Sequence, residues 1–259
     1  MIPVEESREM IASLMMYVRP ETKGAHDRYW ALIREELSKF GIDSPELLSQ
    51  DAPAYDVWQS PDLVLSQTCG MPYRLHLQGK VALVGTPDYG MAMCSAGHYR
   101  SPFVVRSDDP RQTLSAFKDA TFAFNQPHSQ SGYAAPYAHA KGQGIWFEHL
   151  LQTGSHNSSA AAVTEGRADI AALDGMTWRL ITEYDAFAKD LRVLEWTDPT
   201  PGLPLITSLD HDPDHMFTAV QTAITRLDTT DKTTLHLKSL VKISQADYLA
   251  VPNPPQLTS

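Results

Sequence analysis

Cysteine is scarce in this chain: Cys69 and Cys94 are the only two in 259 residues. That is too few for a disulfide scaffold, and no CxxC pair marks a redox or zinc site. One bridge between the two and a pair of buried free thiols are equally compatible with the sequence. Basic residues are also in deficit, with 21 Lys and Arg against 31 Asp and Glu and a formal net charge of -10. Nucleic acid and anionic membrane are therefore excluded as expected partners, because such binding relies on basic patches. Any bound anion must be held by local groups. No apolar run approaches the length that spans a bilayer. The opening stretch MIPVEESREM lacks the basic start and apolar run of a signal peptide, so the chain as written carries no export signal. Internal repeats are absent. The histidines are scattered, apart from Asp210-His-Asp-Pro-Asp-His215, which reads as an acidic turn and helix N-cap, so no metal and no cofactor are expected.

What is present is an ordinary globular composition, 42% hydrophobic and 20% charged, long enough for one domain or two lobes. Short apolar runs alternate with helical spacing. Ile11 to Tyr17 reads as a strand, and Glu21 to Phe40 as a helix whose Ala25, Tyr29, Trp30, Ile33, Leu37 and Phe40 share a face and which stops at Gly41. Further strands are expected at Asp62 to Ser66, Lys80 to Gly85, Tyr99 to Arg106, Ala120 to Phe124, Ala168 to Leu173, Leu191 to Trp196 and Leu205 to Thr207. Pro102 places the Tyr99 strand at an edge or crossover. Helices are expected around Gln112 to Phe117, at Gln143 to Leu151, Asn157 to Glu165, Met176 to Phe187 and Pro213 to Leu227, and the proline-rich tail from Asn253 reads as frayed. This order predicts an α/β architecture with largely parallel sheets.

In such sheets ligands sit beyond the carboxyl ends of the strands. There the chain places Tyr17, Ser66, Gln67, Thr68, Ser129 to Ser131, His156 and Asp174. The stretch FNQPHSQSGYAAP, Phe124 to Pro136, is the most informative: an apolar strand stops, a run of small hydroxyl residues follows, and an alanine-rich helix begins. Hydroxyls beside the free amides of a helix N-terminus can cradle a small anion, although plain N-capping by Ser129 or Ser131 accounts for the same pattern.

The run FNQPHSQSGYAAPYAHA, followed by TGSHNSSAAAVTEGRADIAALDGMTW, resembles the substrate-binding proteins of phosphonate/phosphate-type ABC importers, and YRSPFVVRSDD and GLPLITS match that family's crossover segments in order. The resemblance covers roughly Asp62 to Leu240. It implies a two-lobed type II periplasmic-binding-protein-like fold, with a ligand cleft between lobes joined by a two-strand hinge: residues 1–98 plus 204–259 in lobe one and 99–203 in lobe two. It also implies a small oxyanion ligand held by Ser129, Gln130, Ser131 and Gly132 with His156 donating, and an ABC permease as partner. A bound anion would raise the pKa of that histidine. Asp174, Tyr17, Ser66, Gln67 and Thr68 fall where relatives place further ligand contacts.

The chain departs from relatives that bind aminoalkylphosphonates. They carry a tyrosine where this chain has Ser66-Gln67, and an acidic residue near Met176, two positions after Asp174. The resemblance therefore implies the anion-binding turn and not the aminophosphonate specificity. The expected function is a monomeric, non-enzymatic solute-binding protein, periplasmic by its relatives, while a cytoplasmic chain fits the missing export signal. An enzyme on the same fold, resembling the thiamine-pyrimidine synthases, is the alternative, with His156 reacting. A cytosolic sensor like the effector half of a transcription regulator is a third reading, without a helix-turn-helix to support it.

Overall fold

The computed structural model describes residues 9–255. They divide into two compact units.

The first unit comprises the chain up to Thr68, Leu75–Tyr89 and Leu203–Ile243. Ile11–Ser13 lies parallel to Leu63–Gln67, a strand buried along its whole length. Leu205–Ser208 runs antiparallel between Leu63–Gln67 and Val81–Asp88, and Ser239–Val241 pairs with the far side of Val81–Asp88. Two amphipathic helices cover this sheet. Lys23–Lys39 buries Ala25, Tyr29, Trp30, Ile33 and Leu37, and Pro213–Arg226 buries Met216, Ala219, Val220, Ala223 and Ile224 in the same apolar cluster. Side chains three and four apart share a helix face, so each helix presents one continuous stripe to the sheet. The second helix starts where the acidic turn ends: Asp212 accepts from the Asp214 amide and Pro213 takes the first helical position, where its missing N–H costs nothing.

The second unit comprises Cys69–Arg74, Gly90–Gly202 and the chain from Ser244. Its sheet runs in the order His149–Gln152, Thr121–Phe124, Ile170–Ala172, Pro102–Arg106, Leu191–Trp196. The first three strands are parallel and Pro102–Arg106 is antiparallel to both its neighbours. A separate two-stranded ribbon pairs His98–Tyr99 with Thr200–Pro201. Aromatic rings fill one side of the core, where Phe122 stacks on Phe147 with centroids 4.6 Å apart.

Several expectations are corrected. Gln143 to Leu151 is not a helix: the preceding helix, Ala135–Gly142, is followed by Gly144 at φ +79°, and His149–Gln152 is a strand paired in parallel with Thr121–Phe124. Its apolar pair, Leu150 and Leu151, serves an edge strand. Pro102 does not mark an edge. It is the first residue of an interior strand, where a proline removes no ladder bond. The strand expected from Ile11 ends at Ser13, and Met15–Tyr17 is a 3₁₀ turn. Residues 69–74, 90–98 and those after 243 pack in the second unit, through Arg74 on Gln130, Arg179 on the Gly90 carbonyl, and Tyr248, whose hydroxyl donates to the Gly202 carbonyl. Both cysteines are free thiols.

Candidate functional site

Three strand ends of the second unit build one polar cluster. The strand Thr121–Phe124 stops before Asn125, and Ser129 caps the helical segment that follows, its Oγ accepting from the Gly132 amide at 3.0 Å. Gln130–Ala134 forms a wide π-helical turn that continues into the helix Ala135–Gly142. Ser129, Gln130, Ser131 and Gly132 are all buried. His156 opens the helix His156–Thr164, which Ser155 caps, and Asp174 follows the strand Ile170–Ala172 and caps the helix Gly175–Tyr184. Asp174 is buried, and its Oδ1 accepts from the amides of Met176 at 2.8 Å and Thr177 at 2.9 Å.

The imidazole of His156 ties these ends together. The Asp174 amide donates to Nδ1 at 3.4 Å, which leaves the ring proton on Nε2, and Nε2 faces the Ser131 hydroxyl at 3.0 Å. The Asn125 amide stands on the other side of Nε2 at 3.4 Å. With its NH2 facing Nε2–H, donor would meet donor and its Oδ1 is buried without a partner. The hydrogen-bond pattern therefore favours the reverse amide orientation, with the oxygen accepting from Nε2–H and the NH2 left free. Gly132 is required here, because a Cβ on it would lie 2.0 Å from Asn125 Oδ1 and 3.1 Å from His156 Cε1.

Burial pushes the His156 pKa down to about 4, against a smaller opposing pull from the Ala172 backbone. The ring is thus neutral at pH 7. Its folded pKa lies below the unfolded value near 6.5, so the unfolded chain binds the extra proton between those limits. The stability from keeping His156 neutral is complete above about pH 6.5 and is lost progressively toward pH 4, by at most about 3 kcal/mol. Urea denaturation of wild type and His156→Gln at pH 7.5 and pH 5 is expected to show the wild type losing more stability than the variant. Equal losses would contradict this environment.

Sequence reasoning missed three members of the cluster. Tyr99, on the short ribbon, is 4% exposed, and its buried hydroxyl lies beside Ser131 and Cys69 without a well-aligned hydrogen bond to either. A single tyrosine ahead of a strand carries no signal by itself. Asn125 sits at the same strand end as the serines and could have been found by the strand-end rule. Cys69, whose Sγ accepts from the Gln130 amide at 3.3 Å, reads from the sequence as a bridge partner or a buried free thiol and not as a neighbour of the turn.

The other expected residues gather in the first unit. Gln67 is buried and its amide donates to the Leu203 carbonyl at 3.1 Å and to the Tyr89 hydroxyl at 3.3 Å. Tyr17 packs edge-on against Tyr89 with centroids 5.1 Å apart. Ser66 and Thr68 are fully buried, and the Ser66 hydroxyl has no partner. Among the described residues no group of three His, Cys, Asp or Glu side chains is placed to hold a metal, and no helix is long and apolar enough to cross a membrane.

The sequence profile of the periplasmic substrate-binding proteins of phosphonate ABC transporters matches residues 65–248. The chain belongs to this family. A search of curated proteins gave no match. Among solved structures, PhnD1 from Prochlorococcus marinus in complex with methylphosphonate is similar at 16% identity, with 93% of this chain and 94% of that one covered and a TM-score of 0.70. The binding-protein component of an ABC phosphonate transporter from Pseudomonas aeruginosa is similar at 18% identity, 93% and 82% coverage and a TM-score of 0.65. A Xanthomonas citri protein bound to ATP follows at 17% identity, 92% coverage of both chains and a TM-score of 0.67. These likenesses show the two-lobed type II fold of periplasmic binding proteins. Membership of the phosphonate-binding family gives the chain a solute-binding role rather than catalysis, with a small phosphonate-type ligand and an ABC permease as partner.

Proposed function

We propose that the serine turn of the second unit holds the oxyanion head of a small phosphonate or phosphate compound, with Ser129, Gln130, Ser131 and Gly132 at the helix start and His156, Asp174 and Tyr99 around them. The observation that carries this reading is a set of unspent donors. The Tyr99 hydroxyl is buried beside Ser131 without a well-aligned hydrogen bond, and in the orientation that lets the Asn125 oxygen accept from His156 the Asn125 NH2 is left free beside Gly132. Buried polar groups are normally satisfied, and an oxyanion is the ligand that takes several donors at once. The Ser129 and Ser131 hydroxyls each keep a hydrogen to give, at the positive end of a helix. His156, neutral when the site is empty, donates through Nε2–H, and a bound anion raises its pKa and favours the imidazolium.

The proposal extends to Tyr17, Ser66, Gln67 and Thr68 as ligand-binding residues of the first unit, supported by the unpartnered Ser66 hydroxyl. It also takes the protein to act as a monomer in the periplasm, the compartment of its family, without nucleic acid.

A thermal-shift screen against phosphate, methylphosphonate, other phosphonates, sulfate and sulfonates tests the reading, since a ligand that binds only the folded state raises Tm. A saturable rise is expected with a phosphorus oxyanion. Ser131→Ala and His156→Ala are each expected to weaken that binding about 10- to 100-fold, the size of a lost hydrogen bond to a charged group. Unchanged affinity in both variants would contradict the assignment.

A further inference from the structure

Behind the serine turn lies a buried cation that no acidic group answers. Arg74 is 8% exposed. Its Nη2 donates to Gln130 Oε1 at 2.6 Å and its Nε to Asn253 Oδ1 at 2.9 Å, both neutral amides. Arg28, Arg111 and Arg226 instead rest on the carboxylates of Asp231, Asp109 and Glu36. No carboxylate among the described residues pairs with Arg74, and the ionisable groups that act on it are Cys69 and Tyr99. Burial raises the pKa of both, so neither supplies a negative charge at neutral pH. A cation in a low-dielectric interior without an anion is costly, and burial accordingly pulls the Arg74 pKa down.

Local packing directs this charge at the turn. The guanidinium and the Gln130 side chain lie together beside Gly70, where a Cβ would stand 3.4 Å from Arg74 Nη1 and 3.8 Å from Gln130 Cγ, in ordinary contact with both. Gln130 sits between the two serines of the turn, and its backbone amide is held by Cys69 Sγ. With its oxygen committed to Arg74, the Gln130 amide is fixed in one orientation, its dipole aligned by the cation.

We propose that Arg74, acting through Gln130, is the resident counter-charge of the oxyanion site and makes it select doubly ionised over singly ionised ligands. This rests on the reading of the serine turn as the ligand site. Arg74 is a positioning and charge-compensating residue, with Gln130 between it and the ligand. The empty site holds its cation uncompensated, and each negative charge brought by the ligand is worth more there than in water.

Methylphosphonate, at a pH where it is a dianion, and its monomethyl ester, which stays a monoanion, are the probes, with affinities from titration calorimetry. Wild type is expected to prefer the dianion by about tenfold or more, and Arg74→Met to weaken methylphosphonate by about tenfold while moving the ester by less than about threefold. Arg74→Lys, which keeps the charge, is expected to restore most of the preference. Arg74→Met removes an uncompensated buried charge but leaves the Gln130 and Asn253 side-chain oxygens without their donor, so the empty variant is expected to melt a few degrees below wild type. If that variant does not fold, Gln130→Leu breaks the same connection and is expected to lower the dianion preference likewise. Wild type that binds neither probe sinks the reading of the turn itself. Wild type that binds both, with a preference unchanged in Arg74→Met or Gln130→Leu or with both ligands weakened equally, overturns only the role of Arg74.

Discussion

Gly132→Ala is expected to weaken oxyanion binding by about 100-fold or more, the combined loss of two hydrogen bonds to a charged ligand. The added Cβ would lie 2.0 Å from Asn125 Oδ1, a separation no pair of atoms tolerates, and 3.1 Å from His156 Cε1. Something must move, and the nearest atoms belong to Asn125 and His156. Asn125 is pushed from Nε2, the imidazole turns from Ser131, and the Ser129 cap on the Gly132 amide is strained. The side chains that yield are polar and partly adaptable, so the loss in stability is expected to be the smaller effect, about 1–3 kcal/mol for overpacking. Calorimetric titration with methylphosphonate beside a thermal melt separates the two. Affinity within a few-fold of wild type would show that the Asn125–His156–Ser131 contact does not bear on the ligand.

Gly175→Ala has the opposite balance. A Cβ there would lie 2.4 Å from the carbonyl oxygen of Arg100 and 2.8 Å from Met91 Cε. The methionine can swing away. The Arg100 carbonyl is backbone, beside the interior strand Pro102–Arg106, and cannot. Gly175 also begins the helix that Asp174 caps, so relief by shifting the helix start would pull Asp174 from the Met176 and Thr177 amides. A loss of about 3 kcal/mol is expected, or a fall in Tm of about 5–10 °C. A melting temperature within a degree or two of wild type would mean that the close approach is not rigid.

How far the sequence speaks can be judged from these same residues. The serine turn was legible because a strand end, a proline and small hydroxyl residues ahead of an alanine-rich helix have one economical reading, and Ser129 does cap that segment. The helices Lys23–Lys39 and Pro213–Arg226 were legible for a similar reason, since their apolar residues recur at helical spacing. The helix expected at Gln143 to Leu151 failed because a short run of mixed apolar residues has no decisive period, and pairing of His149–Gln152 with Thr121–Phe124 decided it. Tyr99 and Arg74 were invisible for a different reason. Their interest lies in where the folded chain puts them, the hydroxyl buried beside Ser131 and Cys69 and the guanidinium on two neutral amides, which no local pattern records. The residues grouped by the motif order, Ser131, His156 and Asp174, are brought into one hydrogen-bonded chain. The ligand contacts proposed in the first unit, such as Ser66 and Gln67, belong to no comparable motif.

The most direct measurement is a nitrogen–proton NMR titration of the full chain with methylphosphonate. Saturable shifts are expected at the backbone amides of Gln130, Ser131, Gly132 and Asp174, together with a change at the His156 ring nitrogens as Nε2–H engages the anion. Saturable binding that leaves those amides and that ring unmoved would place the ligand elsewhere and contradict the account.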